Sequence, residues 1–337
     1  MFVRAPLLLS AVVVVVAHVG CDTTGVACNA DDECDGGDVC ADGACVAAEG
    51  EGEGEGEGEG EGEGGEGEGE GEGEGEGEGE GEGEEGCRDD GDNALSAREL
   101  PLAFEVPLRM AEAESDAEDL VVDVVGVDVD GVRRWDFSAP FAQDAQIEVQ
   151  AEPIDGRHWF DSDVTALGLT VGVDEQLYTS MISADIWGVF VRSDSGLVIH
   201  AVASDAEDDT FIAYDPPIQA LSYPLTDGAS FSSVSDGNGT FEGNAFPYCS
   251  TDTYSSTVSG RGVMTTAAGD FPVFRVLTEQ NVVVGNCFGL PFASVSFRQV
   301  IFVTACTGAV VSVTSAEGAD DFAFTEASRV RRVALPD

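Results

Sequence analysis

Thr266-Ala267-Ala268-Gly269-Asp270-Phe271, set between Gly260-Arg261-Gly262-Val263 and the run Val273-Phe274-Arg275-Val276-Leu277, is the stretch that decides the fold. Two small residues and a glycine, flanked on both sides by β-branched and aromatic residues, are a hairpin signal. With Ala267-Ala268-Gly269 as a three-residue loop and Gly269 left-handed, Thr266 opposes Asp270 and opposed residue numbers sum to 536. Cys249 and Cys287 meet the same sum, so this register predicts a disulfide between them. By exclusion Cys87 then pairs with Cys306.

The same pattern continues outward from this hairpin. Period-two, β-branched runs recur at 120–129, 147–149, 186–191, 197–202, 211–214, 273–277, 295–303 and 310–313, each short enough for a strand. Between them fall turn signals: Asp130-Gly131, Asp194-Ser195-Gly196, Asp236-Gly237-Asn238-Gly239, Ala268-Gly269 and Thr307-Gly308. No long 3.6-residue period competes. Residues 87–337 therefore read as one all-β domain, an antiparallel sandwich or partly closed barrel of ten or more strands. Alternation argues against an all-parallel sheet, whose strands are apolar on both faces.

Ahead of this body lies a tract, 49–86, of 19 Glu and 19 Gly in near-perfect alternation. It has nothing apolar to bury, glycine has the most backbone freedom to lose, and its carboxylates stand within a Debye length of about 8 Å of each other. The Gly64-Gly65 phase slip would turn every later Glu to the other face of a strand, whereas a coil is indifferent to it. The tract reads as a disordered, self-repelling tether with a root-mean-square span of about 30 to 40 Å. Flexible alternating carboxylates form no preorganised metal cage.

The acidity is not confined to the tether. The formal net charge is −52, from 66 acidic residues against 14 basic ones, all arginine. Removing the tether's glutamates leaves −33, so nucleic acid is disfavoured as a partner: the basic stripe that neutralises phosphates is missing. A lysine-free acidic surface fits either a carboxylate-hydrated protein of salty water or a GC-rich genome that writes Arg for Lys.

Residues 1–20 read as an export signal. Arg4 supplies the positive start, residues 7–17 are apolar except Ser10, and the run is shorter than the ~20 residues of a bilayer span. Val19-Gly20-Cys21 resembles the lipobox of bacterial lipoproteins, and that resemblance implies lipidation of Cys21, a membrane partner through the lipid, and placement in the cell envelope, at the outer membrane or cell surface. His18 departs from the aliphatic residue usual there, and cleavage after Ala17 would instead release a secreted protein. Cysteine arithmetic agrees with lipidation: nine minus Cys21 leaves eight, an even number for an oxidising compartment.

Residues 21–48 hold Cys28, Cys34, Cys40 and Cys45, spaced C-x5-C-x5-C-x4-C among Asp and Gly. So small a segment has almost no core, which favours disulfides over zinc. The run resembles the Dickkopf-type cysteine-rich motifs of exported proteins from myxobacteria and their relatives. That resemblance implies a disulfide staple, assigned as Cys28–Cys40 and Cys34–Cys45, and no ligand. Asp31, Asp32, Asp35, Asp38 and Asp42 lack the spacing of a calcium loop and read as solvated charge. In the body, Tyr223-Pro224-Leu225-Thr226-Asp227-Gly228 together with the glycine hairpin of 260–276 resembles an uncharacterised class of exported bacterial β-domains, implying an envelope or secreted β-fold and no reaction.

Catalytic patterns are scarce. Only His158 and His200 remain after signal removal, and no zinc-protease, nucleophile-elbow or phosphate-loop motif is present. His200 lies in a strand-like run and reads as structural. Asp128, Asp130 and the acidic run 205–209 read as polar turn and loop rather than calcium sites. The expected function is a non-enzymatic, envelope-anchored lipoprotein with no cofactor or metal, displaying its β-domain for adhesion, envelope structure, or binding of a protein or glycan partner. One alternative is a tethered hydrolase built on His158 with Asp161 or Asp163. Another is a periplasmic carrier of lipid or lipoprotein, which needs an apolar cavity inside the barrel.

Overall fold

Valine, isoleucine, threonine and aromatic side chains are restricted at χ1 in a helix but pack well on a pleated surface, and from residue 176 onward they set the local structure. The computed structural model describes residues 39–41, 44–46, 87, 89–100, 107–115, 120–154, 157, 175–183, 186–204, 210–241 and 247–335. Among these, β1 (Val39–Ala41) and β2 (Ala44–Val46) form a hairpin by themselves, with Cys40 opposite Cys45 in the backbone register. The body comprises β3 (Leu108–Glu114), β4 (Leu120–Val121), β5 (Val127–Val129), β6 (Val132–Asp136), β7 (Ala145–Val149), β8 (Ala151–Glu152), β9 (Gln176–Ser183), β10 (Ile186–Ser193), β11 (Gly196–Ser204), β12 (Phe211–Ser222), β13 (Ser230–Thr240), β14 (Tyr248–Thr266), β15 (Gly269–Gly285), β16 (Pro291–Thr304), β17 (Gly308–Ser315) and β18 (Glu326–Val333).

From β8 to β18 every strand pairs with the next, giving an antiparallel meander; β18 then pairs with β3, and β3 with β7. The two ends of this sheet are consecutive in the chain, because β7 and β8 are separated only by Gln150. Val149 pairs with Leu108 on one side, and Ala151 with Ser180 on the other. One segment thus borders both ends, and the sheet is nearly closed into a barrel.

Two apolar clusters lie on opposite faces of this sheet. On β16, Ile301 and Val303 join Tyr178, Phe190, Ile199, Ile212, Val258 and Val276 in the first, while Val300 and Phe302 join Met110, Trp135, Phe137 and Val313 in the second. Trp135 packs 4.9 Å from Phe302 between ring centroids. Burying a side chain such as Phe302 contributes about 1.5 to 3 kcal/mol, which is why β16 and β17, apolar on both faces, anchor the fold.

Four expectations are corrected. First, the central hairpin turns on two residues, Ala267-Ala268, so Thr266 opposes Gly269 and the register sum is 535; a bulge between Val258 and Arg261 moves it to 534, and Cys249 faces Gly285. Cys249 and Cys287 are nonetheless disulfide-bonded, with Cα atoms 5.3 Å apart. The bridge closes because Cys287 sits past the end of β15, in a loop folded back by Gly289 N–H to Asn286 O (2.9 Å) and Asn286 N–H to Leu290 O (3.0 Å). Cys87 and Cys306 are bonded as well.

Second, Asp236-Gly237-Asn238-Gly239 is no turn but lies within β13, toward its C-terminal end. Its glycines allow close strand approach: a Cβ on Gly239 would stand 1.8 Å from the Phe211 carbonyl oxygen. Third, the run 120–129 is broken. Asp123 Oδ1 accepts from the Val125 and Gly126 amides (3.0 and 2.9 Å), and Gly126 has φ +68°, so the chain turns between β4 and β5. Fourth, one pairing is parallel: β6 runs beside β14 from Gly262–Arg133 to Thr265–Asp136.

Candidate functional site

The face that Tyr254, Val258, Val276 and Ile301 give to the first apolar cluster changes character along the strands. One row of directly paired residues, Val258, Val276, Ile301, Ser312, Arg331 and Glu112, passes from apolar to ionic. The row beside it, Ser256, Thr278, Gln299, Thr314, Arg329 and Glu114, is polar across six strands. Ser256 and Thr278 share a hydrogen bond of 2.9 Å, and Arg329 Nε donates to Glu114 Oε1 at 2.7 Å. Arg331 Nε pairs with Glu112, and burial pulls this guanidinium's pKa below its ordinary value.

Further along the same face of β14 come Tyr254, Asp252 and Ser250. Asp252 is 0 % exposed, and neither carboxylate oxygen has a hydrogen-bond partner. Burial pushes its pKa up to about 6; the nearby Ser250 hydroxyl opposes the rise without reaching hydrogen-bonding geometry, and the Asp236 charge adds to it. Three phenols feel this carboxylate: Tyr214 on β12, Tyr248 and Tyr254 on β14, all with pKa values raised first of all by burial. Gln280 Nε2 donates to the Tyr254 hydroxyl at 2.7 Å, which leaves the phenol's own proton available. The hydroxyls of Ser235, Tyr248 and Ser250 are buried with no partner either. A buried polar group without a partner costs about 1 to 3 kcal/mol, so this cluster is a costly part of the interior.

A cleft of about 430 Å³ reaches this end of β14 from outside. Its lining includes Asp236, Asn238, Ser250 and Thr251, together with the Cys249–Cys287 bridge and the loop ending at Pro291. Thr251 Oγ1 donates to Asp236 Oδ1 at 2.9 Å. The cleft lies on the outer face: Asp236, Thr251 and Val283 are paired across three strands and exposed, whereas Ser235, Asp252 and Val282, paired in the next row, are buried on the inner face. The rim is rigid: Asn286 Oδ1 accepts from the Phe288 and Leu290 amides, at 3.2 and 2.9 Å.

Of the residues singled out from sequence, Cys21, Cys28, Cys34, the aspartates at 31, 32, 35, 38 and 42, the tether 49–86, His158, Asp161, Asp163 and the run 205–209 lie outside the described residues. His200 is half-buried on β11, between the registers on either side of a bulge, and burial lowers its pKa while Glu175 raises it. Asp128 and Asp130 sit in the exposed β5–β6 hairpin, where Asp128 Oδ1 accepts from the Gly131 amide at 3.0 Å.

Sequence reasoning did not find Asp252 or its tyrosines: Tyr248 and Tyr254 flank it in a stretch with no apolar period, and Tyr214 comes from a different strand. It also passed over Asp89, Asp90 and Glu99, whose carboxylates gather within 4.8 Å. There the Glu99 carboxylate is already engaged by the Ser96 amide (2.8 Å) and hydroxyl (2.9 Å), and Asp89 Oδ1 accepts from the Gly91 amide (2.8 Å). Comparison with family models, curated proteins and solved structures found no match.

Proposed function

We propose that this chain is an exported, lipid-anchored binding protein of the cell envelope rather than an enzyme, with a small polar molecule as ligand at the cleft end of its barrel. The observation that carries the reading is the outer-face cleft of about 430 Å³, which gathers the Asp236 carboxylate, Asn238 and Thr251 beside the Cys249–Cys287 bridge. Anchoring through Cys21 and display on the acidic tether follow from the sequence pattern, as does placement at the outer membrane or cell surface. A lipid or lipoprotein cargo is a poorer fit, because the cleft is lined by Asp236, Asn238, Thr251 and Asn286, and acyl chains leave such groups unsolvated.

The test is native mass spectrometry of the full chain recovered in mild detergent, beside Thr251→Trp, which fills the cleft from its exposed rim. Wild-type protein is expected to carry a non-covalent small-molecule adduct that the variant lacks. The same adduct on both proteins, or none on either, overturns the reading.

A further inference from the structure

We propose that the tip of the β15–β16 hairpin is a membrane-docking surface, which inserts Phe288, Leu290 and Phe292 into the interface of a bilayer of electrically neutral, phosphatidylcholine-like lipid. The three side chains lie close together in the chain and are 93 %, 63 % and 72 % exposed. Large apolar side chains grouped in water mark a surface that meets something apolar. The charge pattern agrees. In a chain of net charge −52, residues 280–297 include no Asp, Glu, Lys, Arg or His, and the charges that bound them, Glu279 and Arg298, are paired across the two strands in an ion pair of 3.0 Å. The hairpin also stands clear of its neighbour on the β17 side. β16 first pairs with β17 at Gln299, and among the described residues the backbone hydrogen bond nearest the tip on that side is Gly318 N–H to Ser296 O (2.9 Å), which leaves 291–295, about 16 Å of strand, beyond it.

The loop's backbone is prepared to leave water. Asn286 Oδ1 accepts from the Phe288 and Leu290 amides (3.2 and 2.9 Å), Asn286 O from the Gly289 amide (2.9 Å) and Leu290 O from the Asn286 amide (3.0 Å), while Pro291 has no N–H. These donors enter lipid already paired, as backbone there must be. The Cys249–Cys287 bridge holds the base of the loop, so little ordering is lost on docking. A bilayer fits better than a protein. Two phenylalanines and a leucine bury about 500 Å² at most, short of the roughly 800 Å² per partner of a stable protein interface, and a second copy brings its own charge of −52. A membrane interface demands no shape match, and apolar side chains settle about 5 to 10 Å into its headgroup and acyl boundary. The chain's acidity selects neutral over anionic lipid. Phe288 and Phe292 are not in the cleft's lining, so this surface stands or falls apart from the binding reading above.

The experiment uses the full chain as Cys21→Ser, so that no lipid on the protein can hold it to a vesicle. Flotation is read with vesicles of phosphatidylcholine and with vesicles of phosphatidylcholine mixed with phosphatidylglycerol. The protein is expected to float with phosphatidylcholine, and less with the anionic mixture at low salt. Adding Phe288→Ser and Phe292→Ser is expected to lower vesicle affinity more than about tenfold at unchanged melting temperature, because both side chains already lie in water. The emission gained by Phe288→Trp is expected to shift to the blue on vesicles and to be quenched by lipid brominated on its acyl chains. Equal flotation of the double variant overturns the proposal, as does stronger flotation with phosphatidylglycerol, or flotation that leaves the new tryptophan's emission unchanged. No flotation overturns it too and leaves the tip to a protein partner, or to a second copy if sedimentation shows self-association that the double variant lacks.

Discussion

Asp252→Asn should make this protein more stable, and only above the acid range. In the folded chain the carboxyl titrates at about 6 against a usual 3.8, a difference of roughly two pH units, or about 3 kcal/mol. The sign follows from burial. A carboxyl whose folded pKa is raised favours the fold in its neutral form, so no penalty exists below about pH 4; the penalty grows as pH rises toward 6 and is complete above it. The groups facing Asp252 are Tyr214 from β12, Ser250, Tyr248 and Tyr254 from β14, Ser235 from β13 and Val282 from β15, with the Asp236 charge acting from the outer face. None of these brings a countercharge. The assay is urea unfolding of wild type and variant with disulfides intact, at pH values of about 3.5, 5 and 7.5. With an m-value of about 3 kcal/mol/M for a chain of this size, the variant's midpoint should exceed wild type's by about 1 M at the highest pH and coincide with it at the lowest. The many other carboxylates titrate in both proteins, so the difference isolates this one. A gap independent of pH, or a variant less stable at pH 7.5, would show that a cation already sits beside Asp252 and refute the reasoning.

The Cys249–Cys287 bridge closes a loop of 38 residues, so replacing both cysteines by serine should lower stability by about 4 kcal/mol, read in denaturant, and non-reducing peptide mapping should recover the pair intact from wild type. Gly239→Ala should separate β12 from β13, since the new methyl would lie 1.8 Å from the Phe211 carbonyl oxygen; a loss above about 2 kcal/mol is expected, and an unchanged melting curve would contradict the packing. Deleting 49–86 should leave the melting of the body within about 0.5 kcal/mol of wild type, whereas Cys21→Ser should move the protein from the detergent phase to the aqueous phase on partitioning.

The all-β class was legible because the strands that anchor the core, β10, β11, β16 and β17, carry dense β-branched and aromatic residues. What escaped was polar. β14 is 19 residues long, yet its buried row opens with Ser250, Asp252, Tyr254 and Ser256 and its outer row with Thr251, Thr253, Ser255 and Thr257, so a search for apolar alternation passes straight over it. Threonine density was the available signal. In β13 the glycines that looked like a turn serve strand proximity, a property that depends on the neighbouring strand and is invisible in one sequence. The candidate site fell into the same gap: a buried aspartate in a serine-rich strand has the composition of a surface loop. The disulfide between Cys249 and Cys287 was foreseen through a register that does not exist, since a shorter turn and a bulge each shifted the pairing by one.

Closure of the sheet by Ala145–Glu152 sets an order of events in folding. A chain emerging N-terminus first presents β3 long before β18, whose Arg329 lies 215 residues beyond its partner Glu114. The hairpins from β9 to β17 need only neighbours and can form as they appear, while the seam waits for the last strand. Contacts of such sequence separation slow folding, and until they form the edges of β3 and β17 that β18 covers are open to other chains. Mutual repulsion between copies of net charge −52 holds those open edges apart during the wait, so the acidity guards the unfinished sheet against its own kind.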